Sequence, residues 1–155
     1  MSKRYELAPQ MKDYDNLVIQ WRPYTMFISL SEYSSETVNT DQYGLRYTVH
    51  DSLKYSIINF NLEEPVSIVV GGSASFGEGC TSDKYTISSK LSEKLGHIFL
   101  NFGGRAFNSR QELILFSEFA SKFRHLESVI IYSGTNNLYV SAFDEKYSAP
   151  FFFSS

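Results

Sequence analysis

The chain has 155 residues, 43% of them hydrophobic and 16% aromatic, which excludes a disordered segment and fits a single domain. Its 14 basic and 17 acidic residues leave a net charge of −3, and the scattered Lys and Arg exclude a surface built to track nucleic-acid or anionic-membrane phosphates. One cysteine, Cys80, excludes a disulfide framework, and no apolar run approaches the roughly 20 residues that span a bilayer.

The opening Met-Ser-Lys-Arg-Tyr-Glu-Leu has charge but no apolar stretch behind it, so no signal peptide is read and a cytoplasmic location is expected. Residues 1–63 are rich in Tyr, Ser and Asn. Met26 to Tyr33 reads as extended, and Val38 to Arg46 as a turn between short strands. We expect an N-terminal extended arm or cap there, followed by an α/β domain over 64–155.

Val66-Ser67-Ile68-Val69-Val70, between Pro65 and Gly71-Gly72, predicts a buried parallel strand. Ile87, Leu91 and Leu95 share one helix face, and Gly96 stands where a helix-ending glycine belongs. His97-Ile98-Phe99-Leu100 predicts a second strand. Ser109-Arg110-Gln111-Glu112 fits a capping box, with Leu113, Phe116, Ala120 and Phe123 as the apolar stripe behind it, broadened by Ile114 and Phe119. Ser128-Val129-Ile130-Ile131-Tyr132 predicts a third strand. Strand, helix, strand, helix, strand implies right-handed crossovers and a parallel sheet.

Polar residues follow each strand: Gly71 to Gly77, Asn101 to Arg105, and Gly134 to Asn137. Ligands of parallel sheets bind beyond the carboxyl ends of the strands, so these three clusters are expected to converge. No register through Gly71, Gly72, Gly77 and Gly79 gives Gly-x-Gly-x-x-Gly, and Gly77 is followed by Glu78-Gly79 rather than Lys-Ser or Lys-Thr. Dinucleotide and phosphate-loop readings both fail. A serine at a strand-to-helix turn suits acyl transfer instead, with an amide and an asparagine side chain near a developing oxyanion.

These clusters, in their order and spacing, resemble the SGNH (GDSL-type) hydrolase superfamily. Gly71-Gly72-Ser73 and Gln111-Glu112-Leu113 resemble a bacterial subgroup of it, as do Trp21-Arg22-Pro23 and Gly44-Leu45-Arg46. The resemblance covers residues 66 to about 140. It implies a flavodoxin-like α/β/α fold and a serine esterase acting on carboxylic esters, among them O-acetylated carbohydrate. It makes Ser73 the nucleophile and Gly103 and Asn136 oxyanion donors, with Gly72, Gly104 and Asn137 beside the substrate. No metal or organic cofactor is implied. Gly72 and Asn137 depart from the family pattern, each standing where an Asp is usual.

The family's base is a histidine in an Asp-x-x-His segment, and this sequence has none. His97 and His125 fall at the far end of the expected sheet, and His50 lies in the arm. Ser75 reads as structural, Asn101 as a turn residue, and Cys80 lacks a histidine partner. The closing Ala149-Pro150-Phe151-Phe152-Phe153 run and an uncovered sheet edge read as an incomplete domain, with an edge that a second copy or complementing chain would cover. The alternative function is a catalytically dead module that holds an acylated sugar or a protein partner.

Overall fold

The computed structural model describes residues 3–143, so the expectations for Ala149 to Phe153 lie outside the described residues. The chain opens with two short helices, α1 (Lys3–Leu7) and α2 (Met11–Asn16). Two antiparallel strand pairs follow: β1 (Ile19–Arg22) with β2 (Met26–Ser29), and β3 (Thr48–His50) with β4 (Leu53–Tyr55). Then come β5 (Pro65–Gly71), α3 (Ser73–Phe76), a 3-10 turn at Asp83–Tyr85 and α4 (Ile87–Leu95). The last four elements are β6 (Phe99–Gly103), α5 (Ser109–Ala120), β7 (His125–Tyr132) and α6 (Thr135–Phe143).

The fold is mixed α/β around a three-stranded parallel sheet ordered β6-β5-β7. Because β5 is central, the crossovers to β6 and to β7 run in opposite directions, and right-handed crossovers then place α4 and α5 on opposite faces. Alternate residues Val66, Ile68 and Val70 of β5, with Leu100 and Phe102 of β6, share one core with Leu115 and Phe119 of α5. All residues of β5 after Pro65, and all of β6, are buried, as expected for strands covered on both faces.

The segment before β5 is built into that core. Ile28, Leu45, Ile57 and Phe60 belong to the same cluster, and Tyr14, Leu17 and Val38 enclose Phe76 in a second one. Helices α1 and α2 were not expected in a segment read as extended. Both are short, without an apolar stripe, so helical periodicity had nothing to report.

Helix α4 has the expected bounds: Thr86 Oγ1 accepts from the Ser89 amide, and Gly96 closes it in the left-handed region at φ 72°. Three other elements depart from their expected bounds. Strand β7 begins at His125 rather than Ser128, because its ladder with β5 starts at the Pro65–His125 pair. Strand β6 begins at Phe99, because its ladder pairs Ser67 with Phe99 and Gly71 with Gly103. His97 precedes the strand, with Nε2 3.0 Å from Ser67 Oγ. The capping box of α5 lies one residue earlier than expected: Asn108 Oδ1 accepts from the Gln111 amide, and Gln111 Oε1 accepts from the Asn108 amide. The helix therefore buries Gln111, Glu112, Leu115 and Phe119, while Leu113 is 63% exposed. Among the described residues, no helix is long and apolar enough to cross a membrane.

Candidate functional site

Strand order decides where a ligand fits. In a sheet ordered β6-β5-β7, connections leave β5 and β7 toward opposite faces, which opens a crevice between their carboxyl ends. A cavity of about 170 Å3 lies there. Gly72, Ser73 and Ala74 line it from the β5 side, and Tyr132 to Asn136 from the β7 side, with Phe107 and Glu112 completing the wall.

Ser73 is the first residue of α3, directly after Gly71 at φ 157° and the extended Gly72. As a first-turn residue its amide has no acceptor within the helix. The side chain is half-buried, and among the described residues its hydroxyl meets no hydrogen-bond partner. Asn136 stands opposite, in the first turn of α6, with Nδ2 donating to the Phe107 carbonyl at 2.7 Å. A Cβ on Gly72 would lie 3.0 Å from that Nδ2 and 3.4 Å from the Phe107 oxygen. Glycine at 72 is thus what lets the Asn136 amide approach the turn that carries Ser73.

Gly72, Ser73 and Asn136 meet as expected, whereas Gly103, Gly104 and Asn137 do not line the cavity. Strand β6 lies on the far side of β5 from β7, so its end is displaced from the crevice. The Gly103 amide donates to Asn101 Oδ1 at 2.9 Å, and the Asn101 side-chain amide donates to the Ser75 carbonyl at 3.1 Å. Gly103 therefore serves a close backbone approach to α3, and its amide is already satisfied. The Gly104 amide donates to the Gly71 carbonyl at 2.9 Å. Asn137 ties the starts of two helices together: its Oδ1 accepts from the Ser109 amide and its Nδ2 donates to Ser109 Oγ.

Ser75 does not line the cavity; its buried hydroxyl donates to the Tyr132 carbonyl at 3.0 Å. Cys80 Sγ faces the Tyr85 carbonyl. None of the three histidines lines the cavity. His50 lies near Asp51, His97 near Ser67 and Glu127, and His125 pairs with Pro65 where β7 begins.

The turn that carries Ser73 is anchored by a residue of the arm. Arg46 is fully buried and bonds to Asp83 through Nε at 2.9 Å, to Thr37 O through Nη2 at 2.8 Å, and to Tyr14 Oη and Gly77 O through Nη1 at 2.8 and 2.7 Å. Asp83 is completed by Asn39, whose Nδ2 donates to Oδ2 at 2.7 Å. One guanidinium thus joins the arm, the 3-10 turn and the residue that ends α3. The Gly44-Leu45-Arg46 motif gains a physical role from this, as Gly44 turns the chain at φ 77° and Arg46 enters the core.

Glu112 is the residue that sequence reasoning missed. It was read only as the reaching-back member of a capping box, yet it is 3% exposed in the cavity wall. Burial pushes its carboxyl above the ordinary glutamate range, against a smaller opposing effect of the Ser133 hydroxyl. The folded state then holds the proton more tightly than the unfolded chain. Its contribution to stability is full below the unfolded value and lost as pH rises through the folded one. Glu112→Gln removes that loss, so the stability of the variant relative to the parent is expected to be greater at about pH 8 than at about pH 4. Urea midpoints at the two pH values test this; a difference independent of pH would contradict it.

An apolar groove of about 500 Å3 adjoins the cavity along α5 and β7, lined by Val70, Leu113, Phe116, Val129 and Ile131. Glu112, Ser133 and Gly134 belong to both walls. Among the described residues, no cluster of three or more His, Cys, Asp or Glu is placed to hold a metal ion. In comparison with known proteins, the chain matches no family model and no curated protein.

Proposed function

We propose that the protein is a serine ester hydrolase of the SGNH type, with a flavodoxin-like α/β/α fold and Ser73 as nucleophile. The observation that carries the reading is the meeting of Ser73 and the Asn136 side-chain amide in one cavity at the crevice of the sheet. Ser73 Oγ attacks the acyl carbon, the bond to the alcohol breaks, and water then releases the acid from the acylated serine. The negative charge that develops on the carbonyl oxygen is held by the Ser73 amide and Asn136 Nδ2. Each such donor is worth roughly 3–4 kcal/mol in the transition state. Gly103, whose amide is engaged by Asn101, is left out of this set.

The family reaction uses a histidine to move the Ser73 proton to the leaving alcohol. Among the described residues none lines the cavity. Loss of one member of such a triad costs up to about 10⁶-fold in rate. The 155-residue chain is therefore expected to release 4-nitrophenol from 4-nitrophenyl acetate slowly, in a reaction that Ser73→Ala abolishes. Equal release by both proteins would refute the assignment.

The lack of a histidine at the cavity also favours a second reading, a binding module that uses the same crevice without turnover. Saturable ester binding with no reaction at Ser73 distinguishes it from the first.

A further inference from the structure

The cavity beside Ser73 has an unequal charge inventory. Among the described residues, Glu112 and Tyr132 are the titratable side chains in its lining, and no Lys, Arg or His joins them. The turn after β5 contributes Gly72, Ser73 and Ala74, and the start of α6 contributes Thr135 and Asn136, none of them charged. Glu112 is nearly inaccessible to water, and burial and the Ser133 hydroxyl are what act on it, with no cation beside it among the described residues. We propose that Glu112 is a charge filter: it makes the Ser73 cavity select uncharged or cationic esters and reject anionic ones. This rests on the reading of the cavity as an ester site and narrows its substrate class.

The size of the cavity makes the effect large. A ligand charge seated in this cavity of about 170 Å3, which Glu112 lines, is taken at about 7 Å from its carboxylate. Like charges at that distance, at the effective dielectric of a protein, correspond to roughly 10- to 50-fold in affinity. The start of α6 opposes this, because helix N-termini favour anions, but that attraction is worth only about a few-fold. Glu112 therefore prevails while it is ionised, and the discrimination fades as falling pH protonates it. For a hydrolase the arrangement fits neutral leaving groups, such as the hydroxyls of an uncharged sugar, better than a carboxylate-bearing alcohol.

The test uses the whole 155-residue chain, labelled with 15N, and two esters of nearly equal shape. 4-Acetoxybenzamide is neutral and 4-acetoxybenzoate is anionic. Titrations follow the side-chain amide of Asn136 and the backbone amides of Ser73 and Gly134. The parent is expected to bind the benzoate at least about tenfold more weakly than the benzamide at about pH 8, the alkaline end of the titration series. In Glu112→Gln the two affinities are expected to agree within about twofold, and Tyr132→Phe to keep the discrimination of the parent.

Discrimination that survives in Glu112→Gln overturns the proposal, as does its absence in the parent. Should Glu112→Gln not fold, lowering the pH of the parent and of Tyr132→Phe makes the same test, since discrimination that does not fade then overturns the proposal. The outcomes for the underlying reading are separate. Ser73 reactivity without charge discrimination overturns the filter alone, and discrimination without Ser73 reactivity overturns the hydrolase alone. Signals that respond to neither ester overturn both.

Discussion

Arg46→Ala is expected to lower the stability of the protein by about 3–5 kcal/mol, the cost of leaving a buried charge without its partner. The substitution takes from Asp83, which is 3% exposed, its closest cation and leaves it Asn39 and the Lys54 ammonium at 3.8 Å, and it removes the guanidinium that joined the Thr37 and Gly77 carbonyls and the Tyr14 hydroxyl. Domains of this size are stable by roughly 5–15 kcal/mol, so a large share of the total is at stake. Arg46→Lys keeps the charge and recovers only part, because one ammonium cannot span carboxylate and carbonyls as a planar fork does. Replacing Arg46 and Asp83 together by apolar residues does not restore the parent value either, since the Thr37 carbonyl loses Arg46 and the Asn39 side chain loses Asp83. Urea denaturation measures all of these. A loss below about 1 kcal/mol for Arg46→Ala would show that water enters the site and that the clasp is dispensable.

Gly103→Ala is expected to have the second largest effect, and for a different reason. A Cβ at 103 would stand 2.1 Å from the Phe76 amide nitrogen and 2.5 Å from the Ser75 carbonyl carbon. Both are backbone atoms of α3, which no rotamer change can move aside. Either β6 or α3 shifts, at about 3 kcal/mol for forced overpacking, and α3 carries Ser73. Loss of Ser73 reactivity should accompany the loss of stability, although Gly103 is not in the cavity wall. Gly96→Ala is the contrast: nothing lies within 4 Å, but φ is +72°, so about 1 kcal/mol of conformational strain is expected and reactivity is untouched. Equal effects of the two substitutions would contradict the packing of β6 on α3.

The elements that were legible in the sequence are those specified by local chemistry. Val66 to Val70 reads as a strand because β-branched residues on both faces suit a covered parallel strand, and Leu95-Gly96 reads as a helix end because the turn needs a positive φ. The start of α5 was not decided locally. Asn108 and Ser109 are both good caps, and Gln111 settles the matter by donating from Nε2 to the Thr25 carbonyl at 2.7 Å, a contact 86 residues away. That one-residue choice also sends Glu112 inward, which is why the cavity's acid was overlooked.

Gly103 and Gly104 were expected at the site on the premise that three strand ends converge equally. Chain order does not reveal spatial order, and placing β5 at the centre leaves only β5 and β7 flanking the crevice. Gly72, Ser73 and Asn136 were placed together because they follow the two strands that do flank it.

Covalent capture asks whether Ser73 is the proposed nucleophile of an oxyanion-binding cavity. The protein would be treated over a prolonged incubation with an uncharged alkyl fluorophosphonate and the modified residue located by peptide mass spectrometry. One adduct per chain is expected, on Ser73, formed as slowly as the ester is cleaved, and none in Ser73→Ala. An adduct on Ser75 or Ser133 instead, or no adduct on a protein shown to be folded, would contradict it.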